Sequence, residues 1–159
     1  MATIHHGRRT HAHEGPVTVF LIGMRLNRLR KVRSWAPVVK AMPAMLQELA
    51  QDPQAGFLWH RTYLSGRTIL VVQYWRSAED IYRYAVDAQR LHRPAWKAYN
   101  KAIRKYPGDV GVWHETYAVP AGHHETIYVD MPVIGLAAAT ESIQVRSGQD
   151  SARQRMTAR

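Results

Sequence analysis

The sequence predicts an α+β fold of the ferredoxin-like type: βαββαβ, one antiparallel sheet with both helices on one face. Three observations predict it. Strand-like and helix-like segments follow one another in that order along residues 17–119. The third and fourth of these segments are separated only by Ser65-Gly66-Arg67, which leaves room for nothing but a hairpin. The strands are also apolar on both alternating sets of positions, as expected of strands covered on both faces.

Each element has its own signal. Val17 to Leu26 (VTVFLIGMRL) is a nearly continuous apolar run rich in strand formers. Ser34 can cap a following helix, on which Trp35, Val38, Met42, Met45, Leu46 and Leu49 recur at helical spacing. Pro37 is tolerated near the start of this helix, whereas Pro43 should kink or split it. Asp52, Pro53 and Gly56 end it. Phe57 to Leu64 and Thr68 to Trp75 form the hairpin, and Ser77 with Asp80 starts the next helix in the manner of a capping box. Pro94 divides that helix in two, and Pro107-Gly108 stops the second half. Val110 to Val119 is a strand and Glu125 to Asp130 a shorter one, while the apolar stretch Met131 to Ala139 can cover the sheet.

The chain has 159 residues, enough for one domain with its own core. Polar composition predicts flexible tails at 1–15 and 141–159, flanking a folded domain at 16–140. The first tail holds His5, His6, His11 and His13, and His123 and His124 fall in a turn where water is their expected surrounding. Cysteine is absent, which excludes disulfides, thiolate metal sites and a cysteine nucleophile. No apolar run approaches the ~18 residues of a membrane span. No secretory leader is visible, so a cytoplasmic location is expected.

The formal charge is +10. Arg25, Arg28, Arg30, Lys31 and Arg33 lie close together, and such a patch attracts polyanions or acidic small molecules, or it is simply a solvated loop. No zinc finger, stacking signature or glycine-rich phosphate loop accompanies it, which argues against nucleic acid as the partner. On the strand Thr68–Trp75, Ile69, Val71 and Trp75 point one way and Leu70, Val72 and Tyr74 the other. Helices on one side leave the second set bare, so a homodimer packed sheet to sheet is expected.

Four segments carry a family resemblance: GMRLNRLRKVRSWAPVVKAMPAML, VVQYWRSAEDIYRYA, HRPAWKAYNKA and VGVWHETYAVPAGHHETIYVDMPVIGL. Together they resemble the monooxygenase-like domain family named after a fumagillin-pathway protein. That family lies in the dimeric α/β-barrel superfamily, beside the antibiotic-biosynthesis monooxygenases and the haem-degrading enzymes. The resemblance implies a dimer of ferredoxin-like units, each with a pocket between sheet and helices. It fixes no reaction, because a fold hosts many chemistries.

His92 stands just ahead of Pro94 at a helix start, where the positive end of the helix dipole favours neutral imidazole. That suits a general base or a metal ligand, and equally an ordinary histidine at a helix junction. A histidine there resembles the haem ligand of the haem-degrading relatives. Trp96 and Tyr99 follow at i+4 and i+7 on the same face, as pocket lining or as core. On Val110–Val119, His114 points to one face and Trp113, Glu115 and Tyr117 to the other. His60 interrupts an apolar strand, with Tyr74 and Trp75 opposite it in the hairpin.

His92, His114 and Trp96 are thus candidates for catalysis, and Trp113, His60, Tyr74 and Tyr99 for substrate binding. The expected activity is a small oxygenase of specialised metabolism acting on an aromatic or polyketide-like molecule, with no cofactor or with haem. A haem enzyme with His92 as axial ligand, and a non-enzymatic dimeric ligand- or polyanion-binding module, stand as alternatives. No Rossmann or metallohydrolase motif is present. An oxygenase built here therefore draws its electrons from the substrate, a diffusing reductant or haem.

Overall fold

A computed structural model describes residues 2–157. In chain order the elements are β1 (His5–His11), β2 (Val17–Leu26), α1 (Val32–Ala50), β3 (Phe57–Ser65), β4 (Thr68–Trp75), α2 (Ala78–Val86), α3 (His92–Lys105), β5 (Val110–Val119), β6 (Tyr128–Met131), α4 (Gly135–Ala139), β7 (Ser142–Gln144) and α5 (Ala152–Thr157). The segment β2–α1–β3–β4–α2/α3–β5 is the expected βαββαβ unit, and its strands form an antiparallel sheet in the order β3-β4-β2-β5.

Cross-strand register sorts the side chains onto two faces. Phe20 pairs with Gln73 and Thr116, and Gln73 in turn with His60, so these four form one row on the helix side. There Leu49 of α1 and Ile81 and Tyr84 of α2 close over Trp75, with Phe20 and Phe57 at the edge of the cluster. The Trp75 indole donates to Gln73 Oε1 at 2.9 Å, so the polar atoms in this core are paired.

Two proline expectations change in detail. α1 runs unbroken through Pro37 and Pro43, with Pro43 on its exposed side and the buried Leu46 and Leu49 beyond it. The break between α2 and α3 comes earlier than Pro94, at residues 87–91. Proline then occupies the first turn of α3, where its missing N–H costs nothing. Ser77 caps α2 as read, accepting from the Asp80 N–H at 3.1 Å.

The opposite sheet face is partly covered, as expected of residues 131–139. α4 packs on β3 and β4 and buries Leu136 and Ala137.

The ends of the chain depart most from expectation. Between His5 and His11, and again from Ser142 onward, the structure has strands and a helix where the composition predicts flexible tails. β1 lies at the centre of a second sheet, β6-β1-β7. Polar side chains hold it together in place of an apolar stripe. Arg9 donates to Ser142 Oγ at 2.8 Å, Thr10 to the Thr126 carbonyl at 2.8 Å, and the buried Arg155 to Glu125 at 2.9 Å. His124 is buried rather than solvated. Its Nδ1 lies 2.9 Å from His11 Nε2, and its Nε2 donates to the Gly15 carbonyl at 2.8 Å.

Candidate functional site

The first residue of α3 is His92, and the bend at residues 87–91 aims its ring back at the end of α2. His92 Nδ1 lies 3.0 Å from the Ala85 carbonyl oxygen. A carbonyl only accepts, so the proton sits on Nδ1 and the lone pair of the neutral ring on Nε2. His92 lines a surface cavity of about 430 Å³ together with Ala85, Val86, Arg93, Trp96 and Lys97. The cavity therefore joins an imidazole of fixed tautomer, an indole, two short apolar side chains and two cations.

A polar network fixes the place of His92. Tyr84 packs beside it, with ring centres 6.1 Å apart, and donates its hydroxyl to Glu48 Oε2 at 2.7 Å. Burial, helped by the Glu48 carboxylate, pushes the Tyr84 phenol well above its usual range, so it stays a hydrogen-bond donor. Glu48 also accepts from the Leu91 N–H at 3.3 Å, directly ahead of His92. Arg90 pairs with Asp52 and with Asp87, the latter at 3.5 Å, and Asp52 is held below the usual carboxylate range chiefly by Arg90. Sequence reasoning missed Glu48, Tyr84 and Arg90. Glu48 carried one signal: it is a carboxylate between Leu46 and Leu49 on the apolar side of α1.

The other candidates are spread out. Trp96 shares the cavity with His92, and its ring centre is 5.4 Å from that of Tyr99. Tyr99 itself lines a different cleft between α1 and α3, with Ser34, Val38, Ile103 and Tyr106, which has no room for a water-sized body. His60 and His114 both face the helix side, each beside a phenylalanine: Phe57 at 5.5 Å and Phe20 at 5.7 Å between ring centres. They occupy β3 and β5, the two edges of the sheet, three strand spacings or about 14 Å apart. They therefore cannot act on one bond together. His60 is half-buried, and burial holds its imidazole below the usual range. His114 is exposed.

Trp113 and Tyr74 lie on the opposite face. Trp113 rests on Gly23, and Tyr74 sits beside Trp59 with burial raising its phenol. The single pocket expected from sequence thus resolves into His92 with Trp96 at one cavity, His60 and His114 at separate edges, and Trp113 and Tyr74 behind the sheet.

Residues 17–136 match the family described as Monooxygenase af470-like. The chain is 30% identical over 134 residues to Monooxygenase af470 of Aspergillus fumigatus, covering 76% of this chain and 46% of that protein. It thus spans about half the length of this curated relative. Among solved structures, an aldoxime dehydratase in complex with butyraldoxime superposes with a TM-score of 0.66 at 11% identity, over 86% of this chain and 39% of that one. SnoaB, a cofactor-independent oxygenase from Streptomyces nogalater, superposes with a TM-score of 0.45 at 13% identity, over 65% of this chain and 91% of its own. At 11% identity the likeness to the aldoxime dehydratase is one of fold.

Proposed function

The chain belongs to the Monooxygenase af470-like family, and from that premise we propose that it is an oxygenase whose substrate is an acidic aromatic or polyketide-like molecule bound at the His92 cavity. The observation that carries this reading is the hydrogen bond from His92 to Ala85, made in the wall of a cavity that also holds Trp96, Arg93 and Lys97. Nε2 of such a histidine is free to take a proton from carbon or oxygen. The two cations favour the anion that results, and Trp96 offers a flat apolar surface to an aromatic ring. An electron-rich anion reacts with dioxygen directly. A methylene carbon loses two hydrogens, one oxygen atom becomes its carbonyl and the other leaves as water, so the substrate supplies all four electrons that reduce dioxygen. Oxygen uptake by the pure protein over a panel of phenolic and enolic polycyclic compounds tests the proposal, and no uptake across the panel overturns it.

The same hydrogen bond favours a second reading. A histidine that ligates a metal through one ring nitrogen commonly donates the other N–H to a carbonyl. His92 would then be the axial ligand of haem, with Arg93 and Lys97 placed for its carboxylates. Haem would supply oxygen activation. A Soret band on hemin addition that His92→Ala abolishes would establish this version; a protein that takes up no hemin excludes it.

The homodimer belongs to the same proposal. On the face away from the helices, Tyr63, Trp113 and Tyr117 are 44%, 36% and 51% exposed, beyond the cover of α4. A second copy packed on this face would shelter them and leave each His92 cavity open on the helix side.

A further inference from the structure

The outer face of α3 has a composition that a helix does not adopt for its own stability. Arg93, Lys97, Lys101, Arg104 and Lys105 are its charged side chains besides His92, and it contains no Asp or Glu. At 3.6 residues per turn the five cations fall within about a third of its circumference. The opposite side, with Tyr99, Ala102 and Ile103, faces the α1 cleft. Like charges four residues apart repel, as at Arg93/Lys97, Lys97/Lys101 and Lys101/Lys105. Arg104 and Lys105 suit the negative C-terminal end of the helix dipole, whereas Arg93 opposes the positive N-terminal end.

A second cationic segment adjoins this stripe. α1 and α3 run antiparallel: Glu48 meets Leu91 at one end, and Ser34 shares a cleft with Tyr106 at the other. The loop leading into α1 therefore abuts the C-terminal end of α3, pinned by backbone bonds from Asn27 and Arg28 to the Asp109 carbonyl at 3.0 and 3.3 Å. This loop and the first two residues of α1 read Arg28-Leu29-Arg30-Lys31-Val32-Arg33. Only Arg28 has an acidic partner, the buried Asp109 at 3.3 Å. Among the described residues, Arg30, Lys31, Arg33, Arg93, Lys97, Lys101 and Arg104 make no ion pair.

Apolar side chains stand exposed among these cations. Leu29, Val32 and Trp96 are 45%, 51% and 52% exposed. Leu29 in the loop and Val32 at the start of α1 stand among arginine and lysine and point into solvent. Phosphate contacts of nucleic acid engage the cations alone and leave aliphatic side chains beside them in water. An anionic bilayer uses both kinds of group: cations at the headgroups and Leu, Val and Trp in the interface.

We infer that α3 and the segment 28–33, the loop into α1 with the start of that helix, form a docking face for an anionic lipid bilayer. The face would lie flat on the headgroups, with Leu29, Val32 and Trp96 dipping into the interface. Arg93, Trp96 and Lys97 also line the His92 cavity, so docking would bring the mouth of that cavity to the membrane surface. The binding itself does not depend on any reaction there.

The test is co-sedimentation with vesicles of phosphatidylcholine, with and without 30 mol% phosphatidylserine, at low and high salt. The protein should pellet with the anionic vesicles at low salt only. Each unit of charge lost from the face should weaken partitioning about fivefold. Lys101→Glu with Arg104→Glu, both on the exposed side of α3, should therefore abolish pelleting, while Arg146→Glu, beyond β7 of the second sheet, should change it little. Replacing Leu29 by Asn should weaken binding without altering its salt dependence. Absence of pelleting at low salt, or pelleting that survives the double reversal, overturns the inference. So does salt-dependent binding to a DNA duplex with none to anionic vesicles, which would assign the face to nucleic acid.

Discussion

The indole of Trp113 on β5 lies flat against the backbone of its cross-strand partner Gly23 on β2, so that a Cβ on Gly23 would fall 2.0 Å from Trp113 Cη2. The glycine inside an otherwise apolar strand is therefore explained by a close approach rather than by a turn. Gly23→Ala must lift the indole off the sheet. The expected cost is about 1–3 kcal/mol by urea unfolding, the usual range for overpacking, with a red shift of tryptophan emission. An alanine variant with wild-type stability and emission would contradict this placement.

Tyr84→Phe tests the network behind His92. The hydroxyl it removes donates to a carboxylate, and such bonds contribute about 1.5–3 kcal/mol. Urea unfolding should show a loss in that range, and activity should fall because Glu48 then holds the start of α3 through Leu91 alone. Unchanged stability and activity would remove the network from the account.

Stability should fall with acid partly through His60. Burial sets its folded pKa below the ordinary value of 6.5, so the unfolded chain takes the proton first as pH drops. The contribution is complete above about pH 6.5 and is lost as pH falls toward the lower folded value. His60→Gln should flatten the pH dependence of the urea midpoint in that window. A variant with the wild-type slope would show that His60 is not its source.

Sedimentation equilibrium at micromolar protein should give twice the 18.2 kDa chain mass. A charge introduced by Trp113→Glu should shift the equilibrium to monomer, since a carboxylate then has to be buried between the two sheets. A wild-type protein at the chain mass would mean that the exposed aromatics are not covered by a second copy.

The βαββαβ unit was legible because its strands and helices are written in apolar periodicity. Val17–Leu26, Thr68–Trp75 and Val110–Val119 carry that pattern from end to end. The second sheet was not legible, because Arg9, Thr10 and His11 are held by hydrogen bonds to residues more than a hundred positions away and Arg155 by one to Glu125, 30 positions back, and no local pattern announces those. At the candidate site, the place of His92 ahead of Pro94 and the i+4 spacing of Trp96 put the two on one face of one helix, and both line one cavity. Glu48, Tyr84 and Arg90 were not legible, since three segments have to meet before their roles exist. Trp113 and Tyr74 were grouped with the rest on residue type alone, and only the cross-strand register puts them behind the sheet.

The central claim is that chemistry occurs at His92. It is tested most directly by comparing oxygen uptake of wild-type protein and His92→Ala on an acidic polycyclic methylene substrate. The account predicts uptake by the wild type, a fall of about 10²–10⁴-fold in the variant, and partial recovery on adding imidazole. Uptake by His92→Ala at the wild-type rate would contradict it.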